Sequence, residues 1–253
     1  MNKFLFVPFV LFFLVSSLNG QIISDRPGIS ESSYTLEKSH FQLQSGLFSS
    51  YLKNNQSNTI TNRLRFGLGK GFDLIADFNY GFNRVENKVN NDFDPLAIGF
   101  RKSLFTSSNG NQMAVQFTTG IPLSKTVNLV KRNPYASRFG FFLDQSINKI
   151  NLAFNTGFEG TYTKDTYLLN SFYTVSFSTG KTLSPFIEIF GATPSFDNFS
   201  LSELTVNLDA GAAYVLSDVL LIDISAGITN LDKTHQGWIL DFGFTWKVNT
   251  KKD

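Results

Sequence analysis

The chain has 253 residues, enough for one large all-β domain or two small ones. Aromatic residues make up 15% of it, with 28 Phe, yet charged residues are only 17% and the mean hydropathy is -0.05. Fine alternation of apolar and polar residues reconciles these values, and they fit neither an ordinary soluble enzyme nor a helical membrane protein.

The absence of cysteine excludes thiolate metal sites, Cys nucleophiles, disulfides and lipid attachment through Cys. A net charge of +2 without a basic patch argues against a nucleic-acid partner. Met1, Asn2 and Lys3 give a short positive start. Phe4 to Val15 is apolar apart from Pro8, and the small residues Ser16, Ser17 and Gly20 suit a signal peptidase. Residues 1–20 therefore read as a signal peptide, cut before Gln21 or after Ser17, with an uncleaved anchor as the alternative. No later stretch has eighteen consecutive apolar residues, so a second helical span is not expected.

From His40 onward apolar residues recur with a period of two. Phe72, Leu74, Ala76, Phe78, Tyr80 and Phe82 alternate with Asp73, Ile75, Asp77, Asn79, Gly81 and Asn83. The last segment is the clearest: Trp238, Leu240, Phe242, Phe244, Trp246 and Val248 share one face, and Ile239, Asp241, Gly243, Thr245 and Lys247 the other. On a strand tilted by ~40° at ~3.3 Å per residue, the two Trp stand roughly 20 Å apart along the barrel axis. That is the height of a lipid-facing band with an aromatic girdle at each rim.

Twelve strands are expected: 40–51, 59–69, 72–84, 95–105, 111–121, 137–147, 150–161, 166–180, 183–191, 202–216, 219–228 and 237–248. Connections after the even strands are short, such as Asn148-Lys149 and Ser217-Asp218. Those after odd strands are mostly longer: Leu52 to Asn58, Val85 to Asp94, Pro122 to Ala136, Tyr162 to Asp165, Ala192 to Leu201 and Thr229 to Gln236. Short periplasmic turns and longer external loops give that alternation, whereas a soluble β-sandwich has no reason to show it. The expected fold is an all-β, transmembrane up-and-down antiparallel barrel over residues 40–248, in the outer membrane of a Gram-negative bacterium. Both termini then lie in the periplasm, and residues 249–253 form a polar tail.

Residues 24–46 read SDRPGISESSYTLEKSHFQLQSG. Asp25-Arg26-Pro27, then Glu31-Ser32-Ser33, Tyr34-Thr35 and the strand start His40 to Gln44 resemble the N-terminal signature of the outer-membrane transporter family named for the meta-pathway of phenol degradation. The resemblance implies an envelope barrel passing hydrophobic or aromatic small molecules, and no particular substrate. Two placements are open for residues 21–39. The segment either folds back into the barrel mouth, with Arg26 pairing a lumen carboxylate, or is a tail leading into the first strand, with Pro27 blocking ladder pairing.

The polar face carries charge. If the second turn centres on Lys70, opposite residue numbers sum to ~140 by hairpin geometry. Arg63 then faces Asp77, Arg65 lies diagonal to Asp73 and Asp77, and Arg101 extends the ladder from the fourth strand. This set reads either as a pore constriction selecting charge or as salt bridges filling a narrow barrel. Glu188, Glu203, Asp209, Asp223 and Asp241 form an acidic wall that either favours cations or pairs with Arg63, Arg65 and Lys247. Asp223 and Asp241 are expected at different heights, not as a paired-carboxylate catalytic site.

No catalytic, metal or cofactor site is expected. The two histidines, His40 and His235, are placed at opposite ends of the barrel. The expected function is a channel for small molecules, with a non-conducting structural or adhesion barrel as the alternative. The expected partners are outer-membrane lipid, lipopolysaccharide, the barrel-assembly machinery and a small solute.

Overall fold

The computed structural model describes residues 22–25, 28–53, 55–85, 88–121, 135–162, 167–193, 204–231 and 236–250. The signal peptide expected over 1–20, Arg26, Pro27, the 122–134 connection, Glu203, His235 and residues 251–253 lie outside them.

Fourteen strand segments form one antiparallel sheet: β1 (His40–Leu52), β2 (Asn55–Gly67), β3 (Phe72–Asp77), β4 (Tyr80–Val85), β5 (Lys88–Phe93), β6 (Leu96–Thr106), β7 (Gln112–Ile121), β8 (Tyr135–Ile147), β9 (Ile150–Tyr162), β10 (Tyr167–Thr179), β11 (Leu183–Thr193), β12 (Asn207–Ser217), β13 (Leu220–Thr229) and β14 (Gly237–Asn249). Two pairs are halves of one traverse, β3 with β4 and β5 with β6, so the wall has twelve traverses. β1 pairs with both β2 and β14, which closes the sheet into a barrel. Closure removes the unpaired edge that an open sheet would present to lipid.

The interruption at Phe78 and Asn79 leaves the register intact. Arg63 opposes Asp77 before it and Gln56 opposes Arg84 after it. Asn62 spans the gap, accepting from Phe78 N at 2.9 Å through its backbone oxygen and donating its side-chain amide to Phe78 O at 3.0 Å. The second interruption falls at Asp94 and Pro95, where proline has no N–H for the ladder.

Side chains sort by strand alternation. Along β14, Trp238, Leu240, Phe242, Phe244 and Trp246 are exposed, while Ile239, Asp241, Thr245 and Lys247 are buried inside. The tight turns lie at one rim. Lys70 sits between Gly69 and Gly71 with all three at positive φ, and Asn148 supplies the same conformation to the β8–β9 turn.

Two expected loops are strand instead. Residues 55–58 belong to β2, and 88–93 form β5, leaving two-residue links at 53–54 and 86–87. The apolar alternation stops where the lipid-facing band stops, but the ladder continues on polar cross-strand pairs such as Ser49 Oγ to Asn58 Oδ1 at 2.9 Å. At the tenth traverse the strand begins later than expected, at Asn207. The Thr205 side chain takes the ladder's place, accepting from Ala192 N at 3.0 Å.

Phe242 is 58% exposed near the middle of the outer band. Phe242→Arg is expected to lower stability in phospholipid vesicles by about 2–4 kcal/mol, and Trp246→Arg at the rim by about 0–1 kcal/mol. Denaturant titration of the vesicle-inserted chain measures both.

Candidate functional site inside the lumen

Residues 22–25 and 28–39 lie inside the barrel in irregular conformation. Both ends of the segment are at the tight-turn rim. Ile22 packs on Ala213 and Leu221, and Ser39 N donates to Gly67 O at 2.9 Å as the chain enters β1. Between them the segment crosses the lumen, touching strands on every side.

An irregular segment buried at membrane depth needs a partner for each backbone polar group. Inward side chains provide them. Ile29 N and Ser30 N donate to the two oxygens of Glu188, both at 2.7 Å. Glu31 N donates to Asn155 Oδ1 at 2.7 Å, and Asn155 Nδ2 returns a bond to Glu31 O at 2.8 Å. Ser33 N and Oγ donate to Asp144 Oδ2 at 2.6 and 2.7 Å, and Leu36 N to Asp73 Oδ1 at 2.7 Å. Gly28, at φ 88°, passes against Phe186, where a Cβ would come within 3.0 Å of the ring.

The centre of the site is charged. Arg101 grips Asp25 with both terminal nitrogens, at 2.8 and 3.1 Å, and reaches Glu31 Oε2 at 2.9 Å. Arg63 bonds Asp77 at 2.7 Å, Glu31 at 2.8 Å and Asp25 at 3.3 Å. Arg65 pairs with Asp73 and with Asp25. Arg138 takes the other oxygen of Glu31 at 2.8 Å. Four guanidiniums thus meet the four carboxylates of Asp25, Glu31, Asp73 and Asp77, two of them from the inserted segment. Arg65 and Arg101 have no exposed surface.

Aromatic rings hold two of the arginines from behind. Arg101 lies 5.2 Å from the Phe142 ring centroid, and Arg138 lies 4.1 Å from that of Phe172. The rings lie flat because glycines stand beneath them. A Cβ at Gly140 would meet Phe142 at 2.6 Å, and one at Gly157 would meet Phe172 at 2.8 Å. Gln116 Oε1 accepts from two nitrogens of Arg101, at 3.0 and 2.7 Å, fixing the plane of the fork.

The structure brings Arg63, Arg65, Asp73, Asp77 and Arg101 into one cluster in the register expected for β2 and β3. The acids that tie the three arginines together, Asp25 and Glu31, were not in that set. The expected pairing of Arg26 with a lumen carboxylate lies outside the described residues; its neighbour Asp25 instead brings an acid to a wall of arginines. Arg138 and Glu31 were also missed. Arg138-Phe139-Gly140-Phe141-Phe142-Leu143-Asp144 carries the period-two signal that puts Arg138 inside, but nothing in it names Glu31 as the partner.

Glu188, Asp209, Asp223 and Asp241 of the expected acidic wall fall on the inner face, and Glu203 lies outside the described residues. Glu188 directly opposes Asp209 and is taken up by the segment's N–H groups. Asp209 Oδ1 has no hydrogen-bond partner among the described residues. Asp223 opposes Gly243, and Asp241 opposes Ser225, one inward position apart in height. Trp238 and Trp246 project outward near the two ends of β14. His40 stands at the tight-turn rim, where β1 begins. No cluster of three metal-ligating side chains exists among the described residues.

The segment divides the lumen. On the tight-turn side lies a cavity of about 420 Å³ bounded by Ile22, Tyr34, Asp144, Ser146, Lys181 and Ser184. On the other side lies one of about 330 Å³ bounded by Asp25, Glu31, Arg63, Arg138, Phe48 and Asp241.

No family model matches the chain, and no curated protein does. Solved membrane barrels do. An outer membrane channel from Pseudomonas putida F1 superposes with a TM-score of 0.65 at 9% identity, over 88% of this chain and 99% of that one. The fold is that of an outer-membrane β-barrel. The NanC porin matches with a TM-score of 0.56 at 8% identity, over 81% and 100% of the two chains. The translocator domain of the autotransporter NalP from Neisseria meningitidis gives 0.52 at 9% identity, over 82% and 87%. At these identities the likeness is one of architecture.

Burial by itself would raise the carboxyls of Asp25 and Glu31. The guanidiniums around them outweigh it, Arg101, Arg65 and Arg63 for Asp25, and Arg63, Arg138 and Arg101 for Glu31. Asp25 is held far below the usual carboxylate range, and Glu31 is brought down from 4.5 to about 2. A carboxyl whose value is depressed when docked favours docking fully above its free value and loses that contribution as pH falls through the docked value. The segment is therefore expected to stay docked above pH 4.5 and to loosen as pH falls from 4.5 to about 2. Hydrogen exchange of the Ile29 to Leu36 amides, corrected for intrinsic rates, reads this as protection lost across that interval.

Proposed function

We propose that the chain is a channel of the Gram-negative outer membrane for small solutes, closed in this conformation by its own residues 22–39, with both termini on the periplasmic side. The observation that carries the reading is the pair of lumen cavities, one on each side of a segment held across its middle by hydrogen bonds and ion pairs. Polar contacts of this kind can be exchanged for contacts with water or solute provided each charge is paired or solvated again, whereas a packed apolar core has no such substitute. The names of the solved structures that superpose, an outer membrane channel and the NanC porin, agree with this reading.

The resemblance of residues 24–46 to the transporter family named for phenol degradation suggests aromatic or hydrophobic solutes. The two cavities argue for a more polar one, since Ser, Asn, Asp, Glu and Arg line them. Lipopolysaccharide at the outer rim and the barrel-assembly machinery at the periplasmic rim are the macromolecular partners that the reading entails.

A second reading rests on the charge balance. Four arginines against four carboxylates balance within the central cluster, which also suits a non-conducting structural or adhesion barrel.

Planar-bilayer recording separates the two. The full chain should show rare openings, and a chain lacking residues 22–36 should show steady conductance with at least a ~10-fold larger mean current, as expected once the obstruction leaves a wide barrel. A deleted chain that folds, judged by heat-modifiable migration, and still passes no current supports the non-conducting barrel.

A further inference from the structure

The carboxylates that occupy the arginine cluster belong in part to the chain itself. With residues 22–39 withdrawn, the wall keeps Arg63, Arg65, Arg101 and Arg138 but only Asp73 and Asp77 among their ion-pair partners. Two of the four guanidiniums then lose their ion-pair partners, and an anion that reproduces those contacts is attracted to the cluster.

The geometry of the two departing carboxylates describes the anion. Asp25 receives the Arg101 fork end-on, through both oxygens. Glu31 is held by Arg63 and Arg101 on one oxygen and by Arg138 on the other. Asp25 Oδ2 and Glu31 Oε2 share one nitrogen of Arg63, at 3.3 and 2.8 Å, and one of Arg101, at 3.1 and 2.9 Å. The two oxygens therefore lie within about 6 Å of each other, the reach of two charge-assisted hydrogen bonds on a shared donor. A single short molecule can span that distance. The ~330 Å³ cavity ends on Asp25, Glu31, Arg63 and Arg138, which gives a solute from that side direct contact with the cluster. Gln116, Phe142 and Phe172 position the guanidiniums from the wall, so the receptor does not depend on the inserted segment for its shape.

We propose that the lumen arginines form a binding site for a small organic dianion, a short-chain dicarboxylate whose two carboxylates replace those of Asp25 and Glu31. The inserted segment is then an internal substitute for the solute. Solute binding and segment docking exclude one another, so the solute displaces the gate that blocks its own path. The proposal rests on the channel reading and names the solute class for it.

Equilibrium dialysis of radiolabelled succinate against the detergent-folded full chain tests the proposal without relying on conductance. The Asp25→Asn/Glu31→Gln chain removes the internal competitor and should bind succinate at least ~10-fold more tightly than the unaltered chain. Acetate and sulfate should compete only at concentrations at least ~10-fold higher, and adding Arg101→Gln should remove the gain. Equal binding by the double variant and the unaltered chain, insensitivity to Arg101→Gln, or equal competition by glycerol overturns the proposal. If the double variant does not fold, Glu31→Gln alone carries the same comparison. Current without succinate binding overturns this inference and keeps the channel; succinate binding with no current from any variant overturns the channel and keeps the site.

Discussion

A guanidinium enclosed without a counter-charge costs several kcal/mol, and this barrel encloses four of them. Asp73 and Asp77 come from the wall strand beside Arg63 and Arg65. Asp25 and Glu31 come from a segment that belongs to no strand. The charge balance of the wall thus requires the segment, and the segment's irregular backbone requires the wall's Glu188, Asn155, Asp144 and Asp73. Each satisfies polar groups that the other would leave unpaired inside the barrel.

That mutual dependence organises the rest of the inner face. Arg101 is clamped between Gln116 and Phe142, and Arg138 lies over Phe172, so the cluster is shaped before any carboxylate arrives. Gly140 is bare because the Phe142 ring lies across it, and Gly157 because Phe139 O and the Phe172 ring both crowd the Cβ position. On the outer face the demands are unlike these: only apolar surface is needed, and Phe, Leu, Ile and Trp alternate with the inner residues along every long strand. The wall is conserved in kind around the barrel, while the chemistry is concentrated where β2, β3, β6 and β8 face residues 25–36.

Much of this was legible in the sequence, for a physical reason. A strand in a closed wall between lipid and lumen must alternate, so β14 could be read residue by residue. The turn at Lys70 fixed the pairing of Arg63 with Asp77 by counting alone. Strand ends were less legible at the rim beyond the lipid band, where Asn55 to Asn58 and Lys88 to Phe93 stay in the ladder on polar pairs without an apolar signal. The contacts of the inserted segment were not legible at all. Glu31 meets Arg101 across 70 positions and Arg138 across 107, and no local pattern encodes such a meeting. Alternation placed Arg138 inside, but only the folded chain shows which acid it meets.

The claim that the segment both closes the lumen and is held there by exchangeable contacts can be tested with one covalent lock. Ser30 Oγ donates to Thr174 Oγ1 at 2.9 Å in the middle of the crossing, and the chain has no cysteine of its own. A Ser30→Cys/Thr174→Cys chain, oxidised in a planar bilayer, should fall silent, and reductant should restore the openings of the unaltered chain. Openings that continue unchanged while mass spectrometry shows the disulfide formed would contradict the account, because the lumen would then conduct with the segment fixed inside it.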